Sequence, residues 1–252
     1  MMEPFGIQVA FYLFLAGVAA GIGFWSSWFL AQSRGRNALL GGLLCGVLGA
    51  VFLILDLTRP QDFLLVLTEG NLTSAISWGA RILMLFLLSG FFVWVSFRGK
   101  ENSSAGKLET LVLWFFRLTT IGLAVYPGLV LRQGKSYPLW QEGLLPIVIS
   151  LSVFHFGLLI PLFLMKESSE HRSRFRIWEL VLGGLTVLTL LLLFLSAGAG
   201  VMVWILVLGL GALIPLVLAI TKPEKTLLLR TFLIVAGLYG IRHWIVIGGQ
   251  LG

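Results

Sequence analysis

Charged side chains are scarce in this chain. Asp, Glu, Lys and Arg together make up 12% of its 252 residues, where a water-soluble domain carries roughly a quarter. Hydrophobic residues make up 58% and the mean hydropathy is +0.98, more apolar surface than one soluble core of this length can hide. A soluble globular enzyme is thereby excluded, and the bilayer is the solvent. Cysteine is nearly absent: Cys45 alone makes no intrachain disulfide, and an iron–sulfur cluster needs about four thiolates. Acidic residues number 11 against 18 basic ones, a net charge of +7. No basic run is interleaved with aromatics, so the charge indicates no nucleic-acid partner; Lys and Arg sit instead in short loops between apolar runs, where they encode topology. The N-terminus has no basic region ahead of its first apolar stretch. That stretch exceeds the core of a cleavable signal peptide, so it reads as a membrane helix.

What is abundant is apolar sequence in runs of about 20 residues, each able to cross a hydrocarbon core of about 30 Å. Eight such runs occur, at Ile7–Ala31, Ala38–Asp56, Ala75–Phe97, Glu109–Leu131, Gly143–Met165, Arg176–Leu195, Val201–Ile220 and Thr226–Ile247. The expected fold is an all-α membrane protein. With the N-terminus outside, the inner loops hold Arg34, Arg36, Arg98, Lys100, Lys107, Lys166, Arg172, Arg174, Arg176, Lys222 and Lys225, and the outer ones only Arg59, Arg132 and Lys135. The positive-inside rule then places both termini on the outer, periplasmic side. Two outer loops, Leu57–Ser74 and Arg132–Glu142, are long enough to dock an external partner; the second carries Trp140. An Arg and a Tyr nine residues apart recur as Arg117/Tyr126 and Arg230/Tyr239, the trace of a parallel repeat of four helices.

Polar groups inside a span are costly and need a reason. Ser74, Trp78 and Arg81, at i, i+4 and i+7, share one helix face, with Arg81 roughly 10 Å below the outer end at 1.5 Å per residue. Gln8 and Tyr12 share a face at the outer end of the first span. Asp56 and Arg59 close the second, and Tyr126 lies near the outer end of the fourth. These residues converge either on one pocket in the outer leaflet or on an interfacial aromatic belt with a structural pair of Asp56 and Arg81 or Arg59. His155 falls near the middle of the fifth span, a proton relay, haem ligand or packing residue. His171 and His243 lie at other depths, so a bis-histidine haem is poorly matched. Arg117, Glu179 and Arg230 fall in inner halves, where snorkelling to the interface is expected.

Several motifs carry a family resemblance. Tyr12-Leu-Phe-Leu-Ala-Gly-Val-Ala-Ala-Gly21, Leu55-Asp-Leu-Thr-Arg-Pro60, Thr73-Ser-Ala-Ile-Ser-Trp-Gly79 and Leu238-Tyr-Gly-Ile-Arg242 with Gly249-Gln250 resemble, in order and spacing, the NrfD/PsrC family of quinone-reactive membrane subunits. The resemblance implies two four-helix bundles, here residues 1–135 and 136–252, with menaquinone or ubiquinone bound near the outer face of the first. It implies no haem or iron–sulfur cluster in this chain. The implied partners are a ferredoxin-like, four-cluster iron–sulfur subunit at the outer face and a catalytic molybdopterin or multihaem cytochrome subunit. The location would be a bacterial or archaeal cytoplasmic (inner) membrane. Where the family has Tyr-Thr-Gly, this chain has Tyr126-Pro-Gly128.

On this reading the chain is a membrane-anchor subunit that exchanges electrons between quinone and the iron–sulfur protein, and it does not turn over substrate alone. Tyr126, Tyr12 or Gln8 would hydrogen-bond the headgroup, and Asp56 would take or relay a proton under the influence of Arg59 or Arg81. Trp78 would pack on the ring or tail, beside Ser74. Two other classes fit an eight-span protein: a secondary transporter, which calls for a midplane site, and a b-haem quinone anchor.

Overall fold

In hydrocarbon a backbone satisfies its N–H and C=O groups only within a helix or a closed barrel, and every regular element of this chain that the structure describes is helical. The structure is a computed structural model and describes residues 7–56, 75–99, 106–132, 137–164 and 170–247. Eight helices are long and apolar enough to cross a membrane: α1 Ile7–Ser26, α2 Ser33–Asp56, α3 Ala75–Phe97, α4 Lys107–Leu131, α5 Leu145–Leu164, α6 Glu170–Ala197, α7 Val201–Thr221 and α8 Leu227–Val246. A single helical turn, Pro138–Gln141, stands between α4 and α5. The eight expected spans are therefore all present, and the protein is a multi-pass membrane protein.

The ends differ from the sequence expectation where local chemistry overrides hydropathy. The first apolar run continues through Trp28, Phe29 and Leu30, yet α1 stops at Ser26. The Ser26 and Ser27 hydroxyls donate back to the carbonyls of Gly23 (3.3 Å) and Phe24 (2.6 Å), competing with helix propagation. The turn is closed by Arg36, whose Nη1 donates to the carbonyl of Leu30 at 3.1 Å. It closes so tightly that a Cβ at Gly35 would strike the backbone of Phe29. α4 begins two residues before Glu109 because that carboxylate accepts the Gly106 N–H at 3.0 Å, capping the first turn. α6 ends in a left-handed residue, Gly198 (φ 63°), and the Ala199 N–H reaches back to the Phe194 carbonyl at 3.1 Å, a Schellman closure. In α7 the stretch Trp204–Leu213 is wound with π-type hydrogen bonds and runs up to Pro215, which has no N–H to give the preceding turn.

α1 and α5 are the most deeply buried of the eight. α1 packs against α2, α4, α5 and α8, and α5 against α1, α4, α6 and α8, so each touches helices of both halves of the chain. Lipid tails are as apolar as leucine, so close backbone approach must hold such helices together. At the α1–α5 crossing a Cβ on Gly21 would lie 2.5 Å from the Val153 carbonyl oxygen, and one on Gly157 would strike the Gly21 backbone. One turn further along α1, Trp25 Nε1 donates to the Phe154 carbonyl at 2.9 Å. A second such crossing joins α7 to α8, where Gly211 and Gly237 face each other.

Gly157→Val is expected to lower stability by about 1–3 kcal/mol, the usual range for overpacking. The measurement is a thermal-shift midpoint in detergent; a midpoint equal to that of the unmodified protein would show that the crossing tolerates separation.

Candidate functional site

Trp78 of α3 and Tyr126 of α4, two of the expected site residues, meet between these helices. A cleft of about 350 Å³ opens there, lined by Trp78, Ile82, Gly122, Val125, Tyr126, Leu129 and Val130, within the size range of small-molecule sites. Its rim is apolar and outward-facing: Leu129 is 53% exposed and Trp78 48%. The opening therefore lies on the apolar outer surface of the helices. At its back stands Tyr126, 6% exposed.

Neighbouring residues explain how α4 presents that phenol. A Cβ at Gly79 would fall inside the Tyr126 ring, so the glycine after Trp78 is the space the tyrosine occupies. Pro127 supplies no N–H to the turn that carries Tyr126. Gly128 admits the backbone of Pro146 at the start of α5; a Cβ there would collide with it. The Ser150 hydroxyl, on α5, donates to the carbonyl of Pro146 at 2.7 Å. Behind Tyr126, the phenol of Tyr12 on α1 lies beside it. Tyr12 is buried, and its hydroxyl has no hydrogen bond of ordinary geometry among the described residues.

The structure thus brings together Trp78, Tyr126 and Tyr12, with Arg81 half-buried and its guanidinium carbon 5.7 Å from the centre of the Trp78 ring. Gln8 is exposed on the first turn of α1, one turn before Tyr12; Gln8, Tyr12 and Arg81 all lie outside the lining of the cleft itself. Asp56 is the last residue of α2, and its side chain, like all of Arg59 and Ser74, lies outside the described residues.

Comparison with known proteins agrees with this architecture. The family model described as polysulphide reductase, NrfD, matches residues 1–252. The protein belongs to this family. It is 26% identical to the C subunit of the polysulfide reductase of Wolinella succinogenes, over 96% of its own length and 93% of that relative's. It is 25% identical to protein NrfD of Escherichia coli K12, over 66% of its own length and 61% of that relative's.

Several buried polar arrangements of this NrfD-family protein escaped the sequence reading. Arg242, in the Leu238–Arg242 motif, is 1% exposed; its Nε donates to the Leu13 carbonyl (3.0 Å) and its Nη1 to that of Leu238 (3.1 Å). Gly17 leaves the room, since a Cβ there would lie 2.6 Å from Nη2. Trp140, read as part of an exposed docking loop, is 1% exposed and donates from Nε1 to the Ile245 carbonyl at 2.7 Å, tying the Pro138–Gln141 turn to the end of α8. Glu179 and Arg230 do not snorkel. They are 2% and 1% exposed and form an ion pair between α6 and α8, with Arg230 also donating to the Pro223 carbonyl. Arg117 is buried as well, bonded to Ser27. His155, 3% exposed, packs with its Nε2 against Gly183, one turn along α6 from Glu179. The signal for the ion pair was present: opposite charges at one depth in two spans, where an isolated charge is costly.

Breaking a buried pair strands its partner, so Glu179→Leu should cost about 3–5 kcal/mol while the double change Glu179→Leu with Arg230→Met should cost far less. Unfolding midpoints in detergent for both variants check this; equal losses would deny the coupling.

Proposed function

We propose that the α3–α4 cleft holds the headgroup of a membrane quinone and that this protein is the quinone-reactive anchor of an oxidoreductase complex. The observation that carries the reading is the pairing, in one lipid-facing cleft of ring-sized volume, of an exposed indole wall, Trp78, with a buried phenol, Tyr126. An opening on the apolar helix surface suits a lipid-dissolved, flat, carbonyl-bearing ligand that enters from the bilayer. A quinone, when bound, supplies two-electron, two-proton chemistry.

The protein's own residues supply the rest. The Tyr126 hydroxyl donates a hydrogen bond to a carbonyl oxygen in the cleft, and the adjacent Tyr12 phenol holds its orientation. Trp78 covers the ring face. Arg81 biases the site toward negative charge in this low-dielectric setting. Asp56, at the end of α2, is the proposed proton acceptor, with Arg59 modulating it. Gly122 and Ile82 leave a path along α4 for an isoprenoid tail.

Loop charge supports an arrangement with both termini and this cleft toward the outer side. A relative named as one lettered component of a polysulfide reductase supports a multi-subunit assembly. The proposed partner is an iron–sulfur subunit at the outer face, with a molybdopterin or multihaem subunit beyond it. The proposed setting is the cytoplasmic membrane of a prokaryote, and residues 1–135 form the quinone-bearing half.

In the assembled complex, a quinol-analogue titration should give about a tenfold fall in kcat/KM for Tyr126→Phe, the loss of one hydrogen bond. Gly79→Val should do at least as much by displacing the phenol. Unchanged turnover in Tyr126→Phe, Asp56→Asn and Arg81→Ala would remove this site.

A further inference from the structure

Nine residues before Tyr126, near the middle of α4, Arg117 occupies a place that the quinone reading does not use. The residue is 7% exposed, and its guanidinium carbon lies 3.6 Å from the centre of the Trp28 ring and 4.8 Å from that of Trp114. The two indoles meet edge to face, with ring centres 6.4 Å apart. Two edges of the guanidinium are spoken for: Nε donates to Ser27 Oγ at 3.0 Å and Nη2 to the Ser27 carbonyl at 3.3 Å. The third, at Nη1, meets no acceptor among the described residues, and it is not sealed inside the protein.

The surroundings say what acceptor belongs there. Trp28 and Trp114 are 52% and 53% exposed on the lipid-facing surface, flanked on α4 by Leu111 and Leu118 at 67% and 64%. Tryptophans at this level mark the headgroup region. Arg34 stands exposed on the first turn of α2, six residues after Trp28, while the acid on α4, Glu109, lies two turns before Arg117 and is engaged at the Gly106 N–H. The place is therefore net basic, apolar-walled, and equipped with an in-plane pair of N–H donors. That is the donor set for a phosphate oxygen, delivered with acyl tails that cover the indoles.

We infer that Arg117, Trp28 and Trp114 form a binding site for the phosphate of an anionic phospholipid, in the leaflet that the α1–α2 turn faces. The lipid completes the guanidinium's hydrogen bonds and pins the α1–α2 turn to α4. The site is separate from the quinone cleft and does not depend on that reading.

The test uses the full-length protein in the complex in which it is expressed, delipidated in detergent and titrated with phosphatidylglycerol or phosphatidylcholine of matched acyl length under native mass spectrometry. The unmodified protein should retain one phosphatidylglycerol in clear preference to phosphatidylcholine. Arg117→Gln should weaken that retention by about fivefold, the worth of one interfacial cation, and Arg117→Lys should restore part of it. Arg98→Gln removes an equal charge just past the end of α3, away from the two indoles, and should leave it unchanged. Equal retention in the unmodified protein and Arg117→Gln would make Arg117 a structural clamp alone, and equal losses in Arg117→Gln and Arg98→Gln would make the attraction diffuse; either overturns the site. If Arg117→Gln does not fold, photoreactive phosphatidylglycerol on the unmodified protein decides. Labelling of the segments holding Trp28 and Trp114 is expected, and labelling confined elsewhere refutes it.

Discussion

The placement of α1 against α5 governs most of what this molecule can do. Side-chain burial does not drive association in lipid as it does in water, so these two helices are held by the absence of side chains at Gly21 and Gly157 and by the Trp25 bond to the Phe154 carbonyl. Once α1 is fixed, three of its groups become fixed reference points for other helices. Tyr12 stands behind Tyr126 of α4, the Leu13 carbonyl receives Arg242 of α8, and Ser27, just past the end of α1, receives Arg117 of α4. A small shift of α1 would loosen the α3–α4 cleft and the α1–α2 turn together.

Buried polarity is distributed so that each strong group closes a different helix pair. Arg242 joins α8 to α1, Arg230 joins α8 to α6, Arg117 joins α4 to α1, and Trp140 ties the α4–α5 connection to the end of α8. Most of these bonds end on backbone carbonyls, which are present in any sequence, so what must be supplied is the donor and the space for it, as Gly17 does for Arg242. Arg117 with the Ser27 hydroxyl and Glu179 with Arg230 are the exceptions, where both partners are side chains, and in the ion pair each is costly alone. The two tyrosines of the Arg–Tyr recurrence both end on α1: Tyr126 at Tyr12, and Tyr239 against Phe11 and Phe14 at 5.3 and 5.6 Å between ring centres.

The spans were legible in the sequence because a 20-residue apolar run has few other fates, and α3 was readable to the residue. Boundaries failed where hydropathy and local hydrogen bonding disagree. The Ser26–Gln32 turn contains no Gly or Pro to mark it, and the polar start of α6 is helical although it leaves the hydrocarbon. Around the cleft, Trp78 and Tyr126 share one lining and Arg81 stands against the Trp78 ring, as their spacing and depth had suggested. Partners across helices, Arg242 to Leu13 or Glu179 to Arg230, depend on how each helix is rotated about its axis. Periodicity in one sequence leaves that rotation open when almost every face is apolar.

The interlock of Gly79 with the Tyr126 ring has an evolutionary corollary. A side chain at 79 and a ring at 126 compete for the same volume, so neither position can drift independently. A lineage that gains bulk at 79 must first shrink 126, and with it lose the phenol, passing through a form with an enlarged and chemically silent cleft. In an alignment of relatives the two columns should therefore change in concert despite their distance in sequence, coupled by occupancy of one space by two segments of the protein.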